Sequence, residues 1–281
     1  MPKTRHLLGL SGGKDSAALA VFMRENYPDI SMKYFFTDTG KELPEVYSFL
    51  GKLEGILGKE IVRLNSDRGF DFWWKQFDTF LPSPRTRWCT RYLKIRPFER
   101  WISGYIEAGG KVISYVAIRA DEERTGFVSH NPQIEVKFPF AEHDIDKAGV
   151  LRILEDSGLG LPDYYSWRSR SGCTFCFFQQ KIEWVRLMRE HPDKFDEAKR
   201  YEKIGLENGS PFTWSQGESL EDLAQPARVK AIEKDFQARV EREKALRRRN
   251  PLIDDSLAAE LEIDELYGVD EGAGACLVCH K

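Results

Sequence analysis

The sequence predicts an α/β fold: a mostly parallel sheet with helices on both faces, followed by a helical C-terminal extension. Three observations carry this reading. Apolar, β-prone segments alternate with helix-forming ones through the first two-thirds of the chain, and such alternation builds parallel sheets with helical crossovers. The first apolar segment runs directly into Ser11-Gly12-Gly13-Lys14-Asp15-Ser16 and then into a helix-forming stretch. From about residue 140 the pattern turns helical.

Taken in order, residues 6–10 read as a buried strand because Leu7, Leu8 and Leu10 crowd a short run. Residues 16–26 begin with small side chains, which let a helix pack closely on a sheet. Further strands are predicted over 32–37, 60–64 and 112–118, with helices near 43–57 and 91–107 between them. Ligands of such folds bind beyond the carboxyl ends of the strands. The loop at 11–16 and the turn Asp38-Thr39-Gly40 would both emerge there. Residues 144–157 and 182–190 are the clearest later helices. A charged helix over 220–249 ends in Arg247, Arg248 and Arg249. An acidic stretch over 254–271 then leads to Cys276-Leu277-Val278-Cys279-His280-Lys281. The expected division is a nucleotide-binding domain over residues 1–200 and a helical extension with a Cys-containing tail over 201–281.

Composition narrows the classes. Hydrophobic residues at 41% and aromatics at 12% are ample for a packed core, which argues against global disorder. A net charge of −3 over 281 residues does not advertise a polyanion partner, although local basic patches remain open. The longest apolar runs fall short of a membrane span, and the N-terminus lacks a signal-peptide pattern. A cytoplasmic location is expected, with no membrane partner. In a reducing compartment, five cysteines point to metal ligands or reactive thiols more than to disulfides.

The hexapeptide at 11–16 has the makings of a phosphate cradle. Its two glycines let the backbone turn tightly and approach a ligand, and the following helix start offers free N–H groups to an anion. The helix dipole contributes only about 0.3–2 kcal/mol, so Lys14 and the N–H donors must supply most of the grip. The commoner P-loop needs Gly, four residues, then Gly-Lys-Ser/Thr. Here Asp15 follows the lysine, and Leu8 stands five residues before Gly13. The bland alternative is a Gly-Gly turn with a solvated lysine.

Four further clusters follow in order. Asp38-Thr39-Gly40 is trailed by Glu42 and Pro44. Arg119-Ala120-Asp121-Glu122-Glu123-Arg124 closes a later strand. Phe138-Pro139-Phe140 precedes Asp144 and Asp146. Ser171-Gly172-Cys173-Thr174-Phe175-Cys176 follows Tyr164 and Tyr165. Together with the hexapeptide, these resemble the phosphoadenosine phosphosulfate reductase family of the PP-loop ATP pyrophosphatase superfamily (adenine nucleotide alpha hydrolase-like) over about residues 5–200. Because the phosphate loop is intact, the chain is more similar to the ATP sulfurylase small subunit and to DNA-phosphorothioation and tRNA-thiolation enzymes than to dedicated sulfonucleotide reductases. The resemblance implies that Ser11, Gly12, Gly13, Lys14 and Ser16 hold the phosphates of ATP. Asp15 or Asp38 would help position Mg²⁺, and Thr39 and Gly40 would line the nucleotide. Arg119 and Arg124 would clamp a second anion. An ion-pair network with Asp121, Glu122 and Glu123 is the competing reading of those arginines. Lys14, Asp15 and Arg119 are the expected catalytic residues.

The resemblance also bears on the thiols. Cys89 lies where cluster-bearing relatives carry two adjacent cysteines, with Trp88 in place of one. Cys173 and Cys176 match the later Cys-x-x-Cys of the same [4Fe-4S] cluster. Either the fourth iron stays open or Cys276 or Cys279 completes the set, with Cys279 as the expected ligand. A structural Zn²⁺ on Cys173, Cys176, Cys276 and Cys279 is the alternative, but it leaves Cys89 without a role; a chain with no metal is the third. Cys279-His280 is a poor match to the nucleophile of sulfonucleotide reductases.

Trp73, Trp74, Phe77, Phe80 and Trp88 crowd the segment before Cys89. Stacking on nucleic-acid bases beside Arg85, Arg87 and Arg91 is one reading; core packing is the commoner one. The run Arg247 to Arg249 reads as a solvated helix end, and His130, His143 and His191 show no ligand spacing. The expected activity is therefore adenylylation of an acceptor by ATP with release of pyrophosphate, coupled to sulfur transfer. A thiol-dependent sulfonucleotide reductase and a non-catalytic nucleotide or cluster module are the alternatives. DNA, tRNA and small molecules all remain open as acceptors, and a cysteine desulfurase is a candidate sulfur donor.

Overall fold

A computed structural model describes residues 4–122, 131–169, 172–210 and 212–249. Arg124, His130, Ser171, Cys276, Cys279, His280 and the side chains of Arg247, Arg248 and Arg249 lie outside the described set. Five parallel strands form one sheet: β1 (Thr4–Leu10), β2 (Met32–Asp38), β3 (Ile61–Asn65), β4 (Lys111–Tyr115) and β5 (Ile134–Lys137). Their spatial order is β3-β2-β1-β4-β5. The chain steps outward from β1 through α1 (Lys14–Asn26), β2, α2 (Pro44–Leu57) and β3. It returns through α3 (Phe70–Gln76), a π-helical turn (Thr90–Ile95) and α4 (Arg96–Glu107) to pair β4 on the other side of β1. The strand order thus reverses between β1 and β4, and the crevice beyond their carboxyl ends is where such sheets take ligands.

Consecutive strand residues point to opposite faces, and the core divides accordingly. Leu7, Phe35 and Val112 pack with Ile102 of α4 on one face. Leu8, Phe36 and Tyr115 belong to a larger cluster with residues of α1 and α2 on the other. That larger cluster also takes in α6 (Lys147–Asp156), α7 (Lys181–Glu190) and α8 (Pro192–Glu207). Leu220 and Leu223 of α9 (Leu220–Leu223) join it, as do Val229 and Ile232 of α10 (Pro226–Arg249); the label α5 is kept for the short turn Pro139–Glu142. Among the described residues no helix is long and apolar enough to cross a membrane.

Several boundaries differ from expectation. The strand predicted over 112–118 ends at Tyr115, and residues 116–122 leave the sheet as the loop that carries Arg119. The helix predicted from residue 144 starts at Lys147, because the Asp146 carboxylate accepts the Gly149 N–H at 2.8 Å as an N-cap. The single helix predicted over 220–249 is divided before Pro226, whose ring removes a backbone donor. The helix predicted over 91–107 opens with a π turn, a geometry that recurs at functional sites.

Two glycines converge on one side chain of α2. A Cβ at Gly12, whose φ is +76°, would lie 2.6 Å from Val46 Cγ1, and a Cβ at Gly172 would lie 2.3 Å from Val46 Cγ2. Gly172→Ala should therefore cost about 1–3 kcal/mol through overpacking and lower the melting temperature by several degrees. Most of that penalty should vanish in a Val46→Ala background. Thermal denaturation of the double-mutant cycle checks this, and an equal penalty in both backgrounds would show that Val46 is not the obstruction.

Candidate functional site

The phosphate loop follows β1 directly and is tied down by its own hydroxyls. The Ser11 N–H donates to Ser16 Oγ at 3.1 Å, the Gly13 N–H to Ser11 Oγ at 3.3 Å, and Ser16 Oγ–H to the Gly13 carbonyl at 3.2 Å. Lys14 is the first residue of α1 and is fully buried, its Nζ 4.9 Å from the centre of the Tyr165 ring. Tyr164 donates its hydroxyl to the Gly12 carbonyl at 3.1 Å, and Tyr165 Oη accepts the Lys14 N–H at 3.4 Å. Burial raises the Tyr164 phenol well above its ordinary range, so it remains a donor. A Cβ at Gly13 would sit 3.3 Å from both Ser11 Oγ and Tyr165 Oη, close enough that these side chains would have to yield by a few tenths of an ångström.

The strand-order reversal brings the loop after β4 to the phosphate loop. Arg119 reaches Asp15 at 2.9 Å, Asp121 at 2.9 Å and Glu122 at 3.3 Å. Burial opposes its charge, but Asp121, Asp15 and Glu122 outweigh that and keep it protonated. In this state Arg119 is thus part of an ion-pair network, and its carboxylate partners include a residue of the phosphate loop itself. Asp38 accepts the Gly40 N–H at 2.8 Å and the Tyr47 hydroxyl at 2.9 Å. These two bonds fix the turn after β2, in which Gly40 adopts φ +70°.

A cleft open to solvent joins this cradle to the cysteines. Ser11, Gly13, Asp15 and Ser16 line one part of it, and Cys89, Cys173 and Cys176 line another. Thr39 belongs to the lining; Asp38 and Arg119 do not. Among the lining residues the carboxylates are Asp15 and Glu42. Glu42 is buried and accepts from Thr39 Oγ1 at 2.9 Å and from Cys173 Sγ at 3.5 Å. Lys94 Nζ lies 3.7 Å from the same sulfur. Burial pushes the Cys173 thiol up strongly, Glu42 adds to the rise, and Lys94 opposes it. Cys176 and Cys89 add further to the rise. As the side chains stand, no group of three or more His, Cys, Asp or Glu among the described residues is arranged to hold a single metal ion.

The loop bearing Cys173 and Cys176 is fixed from several sides. The Leu43 N–H donates to the Gly172 carbonyl at 2.8 Å, and the Thr174 N–H to the Lys41 carbonyl at 2.7 Å. The fully buried Glu183 carboxylate accepts from the Ser169 N–H and the Gln180 N–H, both at 2.8 Å, and from Ser169 Oγ at 3.0 Å. One side chain of α7 therefore clasps both ends of the thiol loop.

Several residues of the cleft had no role in the sequence reading. Glu42 and the Tyr164-Tyr165 pair were visible only as neighbours of other motifs, and Lys94 as a basic residue after Cys89. No spacing rule marks them, because each reaches the site from a different element. The aromatic set before Cys89 divides: Trp74 and Trp88 are core, whereas Trp73 and Phe77 are half-buried against it.

Comparison with known proteins adds the following. The family model described as the phosphoadenosine phosphosulfate reductase domain matches residues 5–136. An uncharacterized protein of Methanocaldococcus jannaschii is 33% identical over 117 residues, which are 41% of this chain and 23% of that protein. The chain thus spans about a quarter of the length of that curated relative. Among solved structures, phosphoadenylyl-sulfate reductase from Candida auris in its phosphate complex shares 13% identity at a TM-score of 0.45, covering 62% of this chain and 82% of that one. The U34-tRNA thiolase NcsA from Methanococcus maripaludis, with its [4Fe-4S] cluster, shares 16% identity at a TM-score of 0.40, covering 72% of each chain. The family model thus covers a little under half of the chain, and residues 5–136 are similar to the phosphoadenosine phosphosulfate reductase domain.

Proposed function

We propose that the protein binds Mg-ATP in the cradle at 11–16, adenylylates an acceptor with release of pyrophosphate, and installs sulfur from a cluster held by Cys89, Cys173 and Cys176. The observation that carries this reading is the shared cleft, with phosphate-loop atoms and three thiols on its walls. An acceptor oxygen would attack the α-phosphorus, the bond between that phosphorus and the bridging α–β oxygen would break, and pyrophosphate would leave. The chain's part would be to neutralise charge on the departing group, a role this reading gives to the backbone N–H groups of the loop and to Lys14, which is fully buried and is not among the residues that line the cleft. Of the two candidate Mg²⁺ carboxylates, Asp15 lines the cleft and Asp38 does not, which favours Asp15. Arg119 would then hold Asp15 in place. Arg124 remains a proposed anion contact.

Three thiols that line one cleft are ligands of the type an iron–sulfur cluster takes. Such a cluster would supply sulfide or electron chemistry when bound. The chain's residues around it would tune it, Lys94 by its positive charge beside Cys173 and Glu42 by accepting from that thiol before a metal displaces the proton. Cys279 as a fourth ligand, and the Zn²⁺ alternative that needs Cys276 and Cys279, fall outside the described residues. The family match itself favours a second reading, thiol-dependent sulfonucleotide reduction; the intact phosphate loop favours the use of ATP.

Two outcomes are expected. Lys14→Met, which keeps the buried aliphatic stem, should lower ATP–pyrophosphate exchange by about 10²–10³-fold, the usual loss when one charge-stabilising donor goes. Exchange at the unaltered rate would overturn the assignment of the loop. Anaerobically purified protein should carry about four irons and four acid-labile sulfides per chain, with most of both lost in Cys89→Ser. One zinc and no iron, unchanged by that substitution, would rule the cluster out.

A further inference from the structure

The surface flanking the thiol wall carries a feature that nucleotide binding leaves unused. Trp73, half-buried against the core, forms a continuous strip with Phe72, Tyr92 and two arginines. Arg68 lies 4.9 Å over the Phe72 ring, Phe72 and Trp73 are 5.2 Å apart edge to face, and Trp73 and Tyr92 lie 4.0 Å apart. Arg96 closes the strip, 4.1 Å over Tyr92 and 5.8 Å from Trp73. Phe72, Arg68, Arg91 and Arg96 are exposed, and Trp73 and Tyr92 are half-exposed. The same elements reach the cleft with their other faces: Phe70 of α3 and Thr90, Leu93 and Lys94 of the π turn all line it.

The guanidinium groups add positive charge to this strip. Arg100, Arg119, Arg189, Arg228 and Arg239 are each ion-paired with a carboxylate. No ion pair joins Arg68, Arg91 or Arg96 to any described carboxylate. Guanidinium groups with no described carboxylate partner thus stand beside exposed and half-exposed aromatic rings in a chain of net charge −3. Aromatic rings stack on any base, and guanidinium groups stack and bind phosphates. The complement of such a strip is a flexible polyanion with unstacked bases.

We propose that single-stranded nucleic acid docks on the strip Arg68–Phe72–Trp73–Tyr92–Arg96, its bases stacking on the rings and its phosphates meeting Arg91, Arg96 and Arg68. The inference deepens the adenylylation reading by naming the chemical class of the acceptor, and it rests on that reading only for the acceptor's fate. Duplexes present no free base faces and would bind more weakly.

Fluorescence anisotropy tests this without ATP, using fluorescein-labelled single-stranded RNA of roughly 12 nucleotides, the same sequence as DNA, and a duplex. Single strands should bind more tightly than the duplex and quench tryptophan fluorescence. Phe72→Ala and Arg96→Ala should each weaken binding roughly five- to a hundredfold. Arg91→Ala should reduce the slope of log affinity on log salt by about 0.7, and Arg239→Ala on α10 should change nothing. The ratio of RNA to DNA affinity identifies the polymer. Absence of binding at low salt, equal affinity for the duplex, or unaltered affinity in variants that keep the parent melting temperature would overturn the proposal. Loss of exchange activity with oligonucleotide binding retained would instead defeat adenylylation and leave the docking surface standing.

Discussion

The arrangement of the cleft depends on one close approach, between the turn after β2 and the loop that carries Cys173 and Cys176. Two backbone bonds, from Leu43 N–H to the Gly172 carbonyl and from Thr174 N–H to the Lys41 carbonyl, hold the segments together. Val46 fills the space that a side chain at either Gly12 or Gly172 would need. Three segments distant in sequence are thereby packed around one α2 side chain: the phosphate loop, the β2–α2 turn and the thiol loop. Loosening any of them would separate the thiols from the phosphate loop, and a transfer between bound groups is steeply sensitive to such displacement.

Polar groups inside the cleft are held by ion pairing and by hydrogen bonds. Asp15 faces Arg119, and Lys94 faces Cys173, whose thiol donates to Glu42. Buried pairs contribute little net stability because desolvation offsets their attraction, whereas removal of one partner is costly. Their value lies in position. Arg119 is gripped by three carboxylates in the structure described, so an incoming phosphate would have to compete with Asp15, Asp121 and Glu122 for it. That competition makes Arg119 better suited to holding the loop than to serving as a free anion clamp, unless nucleotide and Mg²⁺ draw the carboxylates away.

Much of this was legible in the sequence, and the parts that were not share a cause. The phosphate loop is a contiguous hexapeptide between a strand and a helix, and four of the five strands are apolar enough to stand out. β5 is an edge strand of four residues, Ile134–Lys137, alternating polar and apolar, and too short to carry a period. α3 is seven residues long and so rich in aromatics that its helical spacing reads as a general hydrophobic cluster. The Tyr164-Tyr165 contacts, the Glu42–Cys173 contact and the Arg119–Asp15 pair are produced by the sheet's strand order, which brings distant loops to one edge. Local pattern carries no information about such meetings beyond the rule that they occur at the carboxyl ends of strands.

Glu183 shows how far such positioning extends from the chemistry. It lies in the first turn of α7, where with Gln180 it forms a capping box. A helix start would use one carboxylate oxygen for this purpose, and Glu183 Oε2 does so with the Gln180 N–H. Its other oxygen accepts from the Ser169 backbone and hydroxyl at the far end of the thiol loop. A carboxylate is required for both tasks, since an amide in its place would present a donor to one of three donors. Fully buried, it needs such bonds to offset its desolvation, so the loop and the carboxylate hold one another in place. A local helix signal therefore also sets the geometry of Cys173 and Cys176, a connection that emerges only when both ends of the loop are seen to meet on one side chain.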